Sequence, residues 1–285
     1  MLNKTRVNLL AFENSKIGYG HVKRLKLLHE HLKKRYVCKL YINKIPKTQK
    51  IHKKEILILD SHFPNKNLIK KLNKNFIIIG LDYFGKIKIE KNIIILKHKK
   101  TFEKKSHIGM ENIIIDKKNL NKYSKLKIIK NNVLVFFGSS NKRNLTKKYT
   151  LMLKKHGYKV ITVIGKFNNE KINLVSDNRA TFKKSSKTFY KLLKTSEIVF
   201  VNSATTLFEA MYLKKKIWSL PQTNFEKNIY KKIFHKKLIE LHKINQFNQK
   251  KMIKNSPTYK KINFDGENKI KKIIQSIIKS EKINA

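Results

Sequence analysis

Short apolar runs alternate with stretches of helical periodicity along most of this chain. In the first half the runs fall at 6–12, 36–42, 55–60, 75–79 and 92–96, and each is of strand length. Between them, 20–34 and 66–73 read as amphipathic helices, with Val22, Leu25, Leu28 and Leu32 on one face of the first. A second series follows: strands at 133–137, 159–164, 198–201 and 217–220, with helices near 145–155, 187–194 and 206–213. The tail, 266–281, sets Ile270, Ile273, Ile274, Ile277 and Ile278 at helical spacing. Strands apolar on both faces belong to parallel sheets, and strand–helix alternation of this kind predicts doubly wound α/β units. The polar, lysine-rich stretch 116–131 reads as a linker. The expected organisation is therefore a domain over 1–125, a domain over 130–265, and a C-terminal helix over 266–285. Such sheets bind ligands at the carboxyl ends of their strands, and two facing domains place the expected site in the cleft between them.

Charge changes this picture less than its size suggests. A net charge of +49 attracts polyanions. Yet only Arg6, Arg24, Arg35, Arg143 and Arg179 are arginine, so 67 − 5 = 62 of the basic residues are lysine. Base and phosphate recognition favours the planar guanidinium. The lysines are interleaved with Ile and Asn, the residues that AT-rich codons favour. Non-specific polyanion binding is expected; a dedicated nucleic-acid protein is the alternative reading. Cys38 stands alone, which excludes an intramolecular disulfide and fits a reducing compartment. No apolar run approaches the roughly 20 residues that span a bilayer. A cytoplasmic monomer with no transmembrane segment is expected.

Candidate chemistry gathers at predicted strand ends. Gly18-Tyr19-Gly20-His21 lies between the first strand and first helix. Glycine allows a tight turn, a helix start favours anions, and histidine exchanges protons near neutral pH. Capping is the plainer explanation of His21 taken alone. Asp60 and Asp82 end apolar strands, where they either orient His21, meet sugar hydroxyls or cap the next element. Gly138-Ser139-Ser140-Asn141 and Ser203-Ala204-Thr205-Thr206 end strands of the second series, and Glu209 lies one turn into the helix that follows. Hydroxyls and backbone N–H groups at these places suit a diphosphate, and Glu209 suits a ribose diol. A capping role for Asn141, Asn144, Thr205 or Thr206 is equally consistent with the sequence. No spacing suggests a metal cluster, a P-loop or a serine nucleophile elbow, and no cofactor is expected.

In order along the chain, these stretches resemble the UDP-sugar hydrolases of pseudaminic acid biosynthesis, relatives of the family 28 glycosyltransferases. Gly18-Tyr19-Gly20-His21-Val22-Lys23-Arg24 resembles that family's G-x-G-H-V-x-R loop, and Asp60-Ser61 its strand-end Asp-Ser. Asp82 falls where the family has paired aspartates, and Gly109-Met110-Glu111 resembles its Gly-x-Glu. Phe137-Gly138-Ser139-Ser140 with Asn144-Leu145-Thr146, and Ser203 to Glu209, resemble its two second-half motifs. Ser139, Ser203 and Ala204 stand where the family has glycine, His62 and Asn112 where it has tyrosine, and Asn141 where it has aspartate. Pro221-Gln222-Thr223-Asn224-Phe225-Glu226 only approximates its Asn-Gln segment.

The resemblance implies a GT-B-like α/β fold: two Rossmann-like domains facing across a cleft. It implies metal-independent release of UDP from a UDP-linked diacetamido-trideoxy sugar. His21 would be the general base, Thr205 and Thr206 would hold the diphosphate, Glu209 the ribose, and Tyr19 and Arg24 would line the sugar pocket. Gly18, Gly20, Asp60, Asp82, Gly138, Ser139 and Ser203 complete the expected substrate-binding set. A GT-B glycosyltransferase using a UDP-sugar is the enzymatic alternative.

Overall fold

The computed structural model describes residues 5–47, 55–95, 106–140, 145–168, 180–184, 188–233 and 263–283. The chain forms two compact units. One comprises Met1–Glu13, His21–Ile114 and Ile262–Ala285; the other comprises Asn14–Gly20 and Ile115–Lys261.

The first unit is built on a parallel six-stranded sheet of β1 (Arg6–Ala11), β2 (Val37–Ile42), β3 (Glu55–Asp60), β4 (Phe76–Leu81), β5 (Lys91–Ile94) and β6 (Ser106–Ile108), in spatial order β2-β1-β3-β4-β5-β6. β3 and β4 are buried almost throughout, as their apolar runs require, and so is β1, whose Asn8 donates to Glu55 Oε2 at 2.7 Å. β2 sits at the sheet edge, where Val-Cys-Lys-Leu-Tyr-Ile is half-exposed. Helix α1 (Gly20–Leu32) buries Val22, Leu25, Leu28 and Leu32, the predicted face, and also Arg24. Helix α2 (Lys66–Asn75) is capped by Asn65, whose side chain accepts from the N–H of Asn67.

The second unit has a parallel five-stranded sheet of β7 (Ile129–Phe136), β8 (Lys159–Ile164), β9 (Ala180–Lys184), β10 (Ser196–Val201) and β11 (Lys216–Ser219), in order β11-β10-β7-β8-β9. Among the described residues its helices are α3 (Lys117–Lys122), α4 (Leu145–Lys155), α5 (Phe189–Thr195), α6 (Thr205–Tyr212) and α7 (Asn224–Ile233). The core of this unit includes Val133, Val135, Phe137, Tyr149, Phe200 and Trp218, with the last two rings stacked at 5.6 Å.

Several stretches depart from the sequence reading or add to it. The expected linker 116–131 carries helix α3 and the first residues of β7. Asp116 accepts from the N–H and side-chain amide of Asn119, and Leu120 is fully buried, so a largely polar segment is ordered by a cap and one apolar anchor. Gly109-Met110-Glu111 docks the C-terminal helix α8 (Gly266–Ile283). Lys269 Nζ reaches Glu111 Oε1 at 2.8 Å and Asn112 Oδ1 at 2.9 Å, and the N–H of Asp265 donates to Glu111 O. That helix groups with the first unit although it follows the second in sequence. β6, β9 and α7 were not expected from periodicity; the first two are short and polar-flanked, and α7 follows Pro221 in a segment given no element.

Candidate functional site

Strand order locates the site in each unit. In β2-β1-β3 the chain leaves β1 to one side and β3 lies on the other, so the sheet reverses its winding between β1 and β3. A crevice opens at the carboxyl ends of strands at such a switch point. His21, just inside α1, follows β1, and Asp60 ends β3 in register with Ala11 at the end of β1. The second sheet reverses between β7 and β10, which places the loops 137–140 and 202–204 at its switch point.

In the first unit, the side chains of His21, Arg24, Asp60 and Asp82 form one connected cluster. His21 and Arg24, three residues apart, share a helix face. Nδ1 of His21 donates to Asp60 Oδ1 at 2.6 Å. Arg24 clasps the same carboxylate at both oxygens: Nε to Oδ2 at 2.7 Å and Nη2 to Oδ1 at 2.6 Å. Its Nη1 donates to Asp82 Oδ2 at 2.7 Å, while the N–H of Ile95 donates to Asp82 Oδ1 at 2.8 Å. Asp82 takes this place with φ +49, a left-handed conformation that aspartate tolerates better than most residues.

Burial sets the electrostatics. Asp60 is fully buried, and Asp82 and Arg24 are nearly so. Burial alone would raise the Asp60 carboxyl, but Arg24 and then His21 outweigh it and hold it well below the usual carboxylate range. At Asp82 burial wins over Arg24 and the Ile95 N–H, and the carboxyl is raised. Burial opposes the charge on Arg24 too, yet the two carboxylates overcome it and raise the guanidinium further. An ionised Asp60 only accepts hydrogen bonds, so Nδ1 carries the proton and Nε2 is the ring nitrogen left for exchange. A carboxylate-oriented imidazole of this kind serves as a general base. Asp60, Asp82 and Arg24 are thus buried, with Arg24 bonded to both carboxylates and Asp60 to His21, and none of the three caps a helix among the described residues.

A row of rings continues from His21. His62 packs edge-to-face on it at 4.8 Å between centroids, and Phe84 lies 5.8 Å from both His62 and Phe63. The N–H of Phe84 donates to His62 O at 2.8 Å, which fixes the loop after β3. Sequence reasoning gave His62, Phe63 and Phe84 no role. The available signal was that His62 follows a strand-end aspartate by two residues.

In the second unit, the loop 14–20 packs on the loop after β7. The N–H of Tyr19 donates to Ser139 Oγ at 2.7 Å, and Lys166 Nζ lies 5.3 Å from the centre of the Tyr19 ring. Gly18 adopts φ +85, which strains any residue with a Cβ, and a Cβ there would also come within 2.8 Å of Ser139 Oγ and displace that hydroxyl. Gly20 approaches the start of α6, its notional Cβ 3.9 Å from Thr205 Oγ1. Ser139, which stands where the resembled family has glycine, thus anchors Tyr19. Ser203, at another such position, turns inward and shares a hydrogen bond with Ser219 Oγ at 2.7 Å.

Thr205 and Thr206 are the first two residues of α6, which begins after Ala204 with no side-chain cap. Thr206 is buried and Thr205 half-buried. Glu209 is fully buried, and its Oε1 accepts from Tyr190 at 3.2 Å. Burial, then the nearby carboxylates of Glu209 and Asp116, push the Tyr190 phenol up, so it remains a donor. Asn202, given no role from sequence, and Gln222 and Glu226, of the segment that approximates the family's Asn-Gln, knit the loops together: Asn202 Nδ2 donates to Glu226 Oε1 at 3.0 Å, and Gln222 Nε2 to Phe137 O at 2.7 Å. Gly138 adopts φ +84 beside Asn202. Asn141 and Asn144 lie outside the described residues.

Gly165, after β8, closes this group of loops. A Cβ on it would fall 2.1 Å from Gly138 O and 2.5 Å from Ser139 Cα, both backbone. Gly165→Ala is expected to destabilise the second unit by about 1–3 kcal/mol. Thermal unfolding of the variant checks this, and an unchanged melting temperature would show that the loop after β7 yields freely.

No family model matches the chain, and no curated protein matches it. Solved structures do. The chain is similar to UDP-GlcNAc 2-epimerase from Neisseria meningitidis bound to UDP-GlcNAc, at 9% identity and TM-score 0.58, covering 96% of this chain and 100% of that one. It is similar to UGT89C1 of Arabidopsis thaliana complexed with UDP, at 10% identity and TM-score 0.57 over 94% and 98% of the two chains. It is also similar to MnaA of S. aureus in its UDP co-structure, at 9% identity and TM-score 0.54 over 96% and 97%. At these identities the likeness establishes the fold. With two parallel-sheet, Rossmann-like units in one chain, that fold is GT-B. Among the described residues, no helix is long and apolar enough to cross a membrane.

Proposed function

We propose that this protein is a nucleotide-sugar hydrolase that releases UDP from a UDP-linked acetamido-deoxy sugar, in the making of pseudaminic or a related nonulosonic acid for surface glycans. The observation that carries the reading is the His21–Asp60 pair at the switch point of the first sheet, with Asp60 locked by Arg24. Nε2 of His21 takes a proton from water. The water oxygen attacks the anomeric carbon, and the bond from that carbon to the diphosphate breaks with its electron pair staying on UDP. The imidazolium that forms faces the negative charge of Asp60. The diphosphate is already a stable anion, so its departure needs no general acid.

We assign the leaving diphosphate to the second unit, where the uncapped start of α6 at Thr205 and Thr206 and the backbone at Gly138–Ser139 offer N–H groups. Glu209 takes a ribose hydroxyl by exchanging its bond from Tyr190. The similarity to structures holding UDP or UDP-GlcNAc supports the nucleotide assignment.

The test is product analysis with UDP-linked 2,4-diacetamido-2,4,6-trideoxy-altrose and with UDP-GlcNAc. Free sugar and UDP are expected. A conjugate to an added acceptor would make the protein a glycosyltransferase, in which His21 deprotonates an acceptor hydroxyl. Thermal stabilisation by short DNA at near-physiological salt, with none by any uridine nucleotide, would replace the enzyme reading by polyanion binding.

A further inference from the structure

The segment Asn14–Gly20 groups with the second unit, although the chain before it, to Glu13, and after it, from His21, groups with the first. Three sets of bonds hold this segment. At its start the Asn43 side chain pairs with the Glu13 backbone: Oδ1 accepts from Glu13 N–H at 2.9 Å and Nδ2 donates to Glu13 O at 3.1 Å. Asn14 Oδ1 then accepts from the N–H groups of Lys16 and Ile17, and the N–H of Gly18 donates to Asn14 O at 2.7 Å, which makes a local turn. At its end the N–H of Tyr19 donates to Ser139 Oγ, 120 residues away in the chain. Ser139 is itself a fixed post. Its carbonyl accepts from the N–H of Phe167 at 2.8 Å, and Gly165 lets the loop after β8 press on its Cα. The resembled family has glycine at this position, so the hydroxyl is an addition of this chain.

We infer that Ser139 is a positioning residue for His21, its hydroxyl holding the Tyr19 peptide and, through it, the start of the helix that carries the histidine. The inference rests on the nucleotide-sugar reading above and deepens it. Gly20 and His21 open α1, so the Tyr19 peptide is where the chain enters that helix. The bond to Asp60 sets the orientation of the imidazole, and the bond to Ser139 sets where its backbone begins. A base displaced by about 1 Å loses rate far more than binding, because proton transfer needs aligned atoms while the nucleotide contacts stay where they are. The backbone N–H of Ser139 remains in the group assigned to the diphosphate. Its hydroxyl is engaged by Tyr19 and touches neither the attacking water nor the anomeric carbon.

Ser139→Ala in the full chain tests this, since alanine keeps the backbone and removes the hydroxyl alone. Three quantities are measured: kcat and KM for UDP release from UDP-linked 2,4-diacetamido-2,4,6-trideoxy-altrose, UDP affinity by calorimetry, and hydrogen exchange of the backbone amides from 14 to 28. In the variant kcat is expected to fall about tenfold, with KM and UDP affinity within about twofold of wild type. The Tyr19 amide should exchange about tenfold faster, while the amides of Leu25 and Leu28 inside α1 keep their protection. Unchanged exchange at Tyr19 overturns the inference, and so does a full kcat alongside faster exchange. Weaker UDP binding with kcat retained would make Ser139 a nucleotide contact and overturn it as well. Each of these results leaves the hydrolase reading standing as long as the wild type releases UDP. A wild type that releases none overturns that reading and the positioning role with it.

Discussion

Replacing His21 with alanine is expected to slow UDP release by about 10²–10⁴-fold while leaving UDP affinity unchanged. Alanine removes the only group in the buried cluster that has a ring nitrogen left for exchange, since Asp60, Asp82 and Arg24 are held by one another. The contacts assigned to UDP lie in the other unit, so kcat should fall and nucleotide binding should not. Asp60→Asn should give a loss of similar order. An amide at that position can present an N–H to Nδ1 and favour the wrong tautomer. Initial rates of UDP release, paired with calorimetric UDP titrations, separate the two effects. His21→Ala with wild-type release would remove the histidine from the chemistry, and the hydrolase mechanism with it.

Much of the fold was legible because the parallel strands are apolar on both faces. β3, β4, the 198–201 part of β10 and the 133–136 part of β7 stand out as apolar runs that lead into Asp60, Asp82, Asn202 and Gly138. The site was legible as a set of strand ends, which the switch-point geometry turns into places. Its wiring was not. Nothing in sequence spacing says that Arg24 turns inward onto Asp60 and Asp82; a surface role in a sugar pocket fits the same pattern. Ser139 and Ser203 look alike as replacements of glycine, yet one anchors Tyr19 and the other faces Ser219. That difference depends on which neighbour has room for a hydroxyl, and only packing decides it. Gly109–Glu111, which stood out in the sequence only as resembling a family Gly-x-Glu, docks a helix 158 residues away in the chain, at Lys269. His62 and Phe63 carried no periodic or charge signal because their partners are brought together by the loop after β4.

Arg24→Met is expected to cost about 3–5 kcal/mol of stability, with a sign in pH that identifies the cause. Methionine keeps much of the side chain's apolar volume but leaves Asp60 and Asp82 buried with no cation between them. In the wild type the two carboxylates act in opposite senses. Asp60 is depressed, so its stabilisation is present above the unfolded value of about 3.9 and is lost as pH falls toward its folded value. Asp82 is raised, so its contribution is present at low pH and declines as pH rises through its folded value. Without Arg24, burial becomes the dominant influence on Asp60 as well, and both carboxyls then favour the protonated form. The deficit of the variant should therefore be small near pH 4, where both groups can be neutral, and full near pH 8. Thermal unfolding of wild type and variant at the two pH values measures it. An equal deficit at both would mean that Arg24 matters for packing alone and that no buried charge balance underlies the orientation of His21.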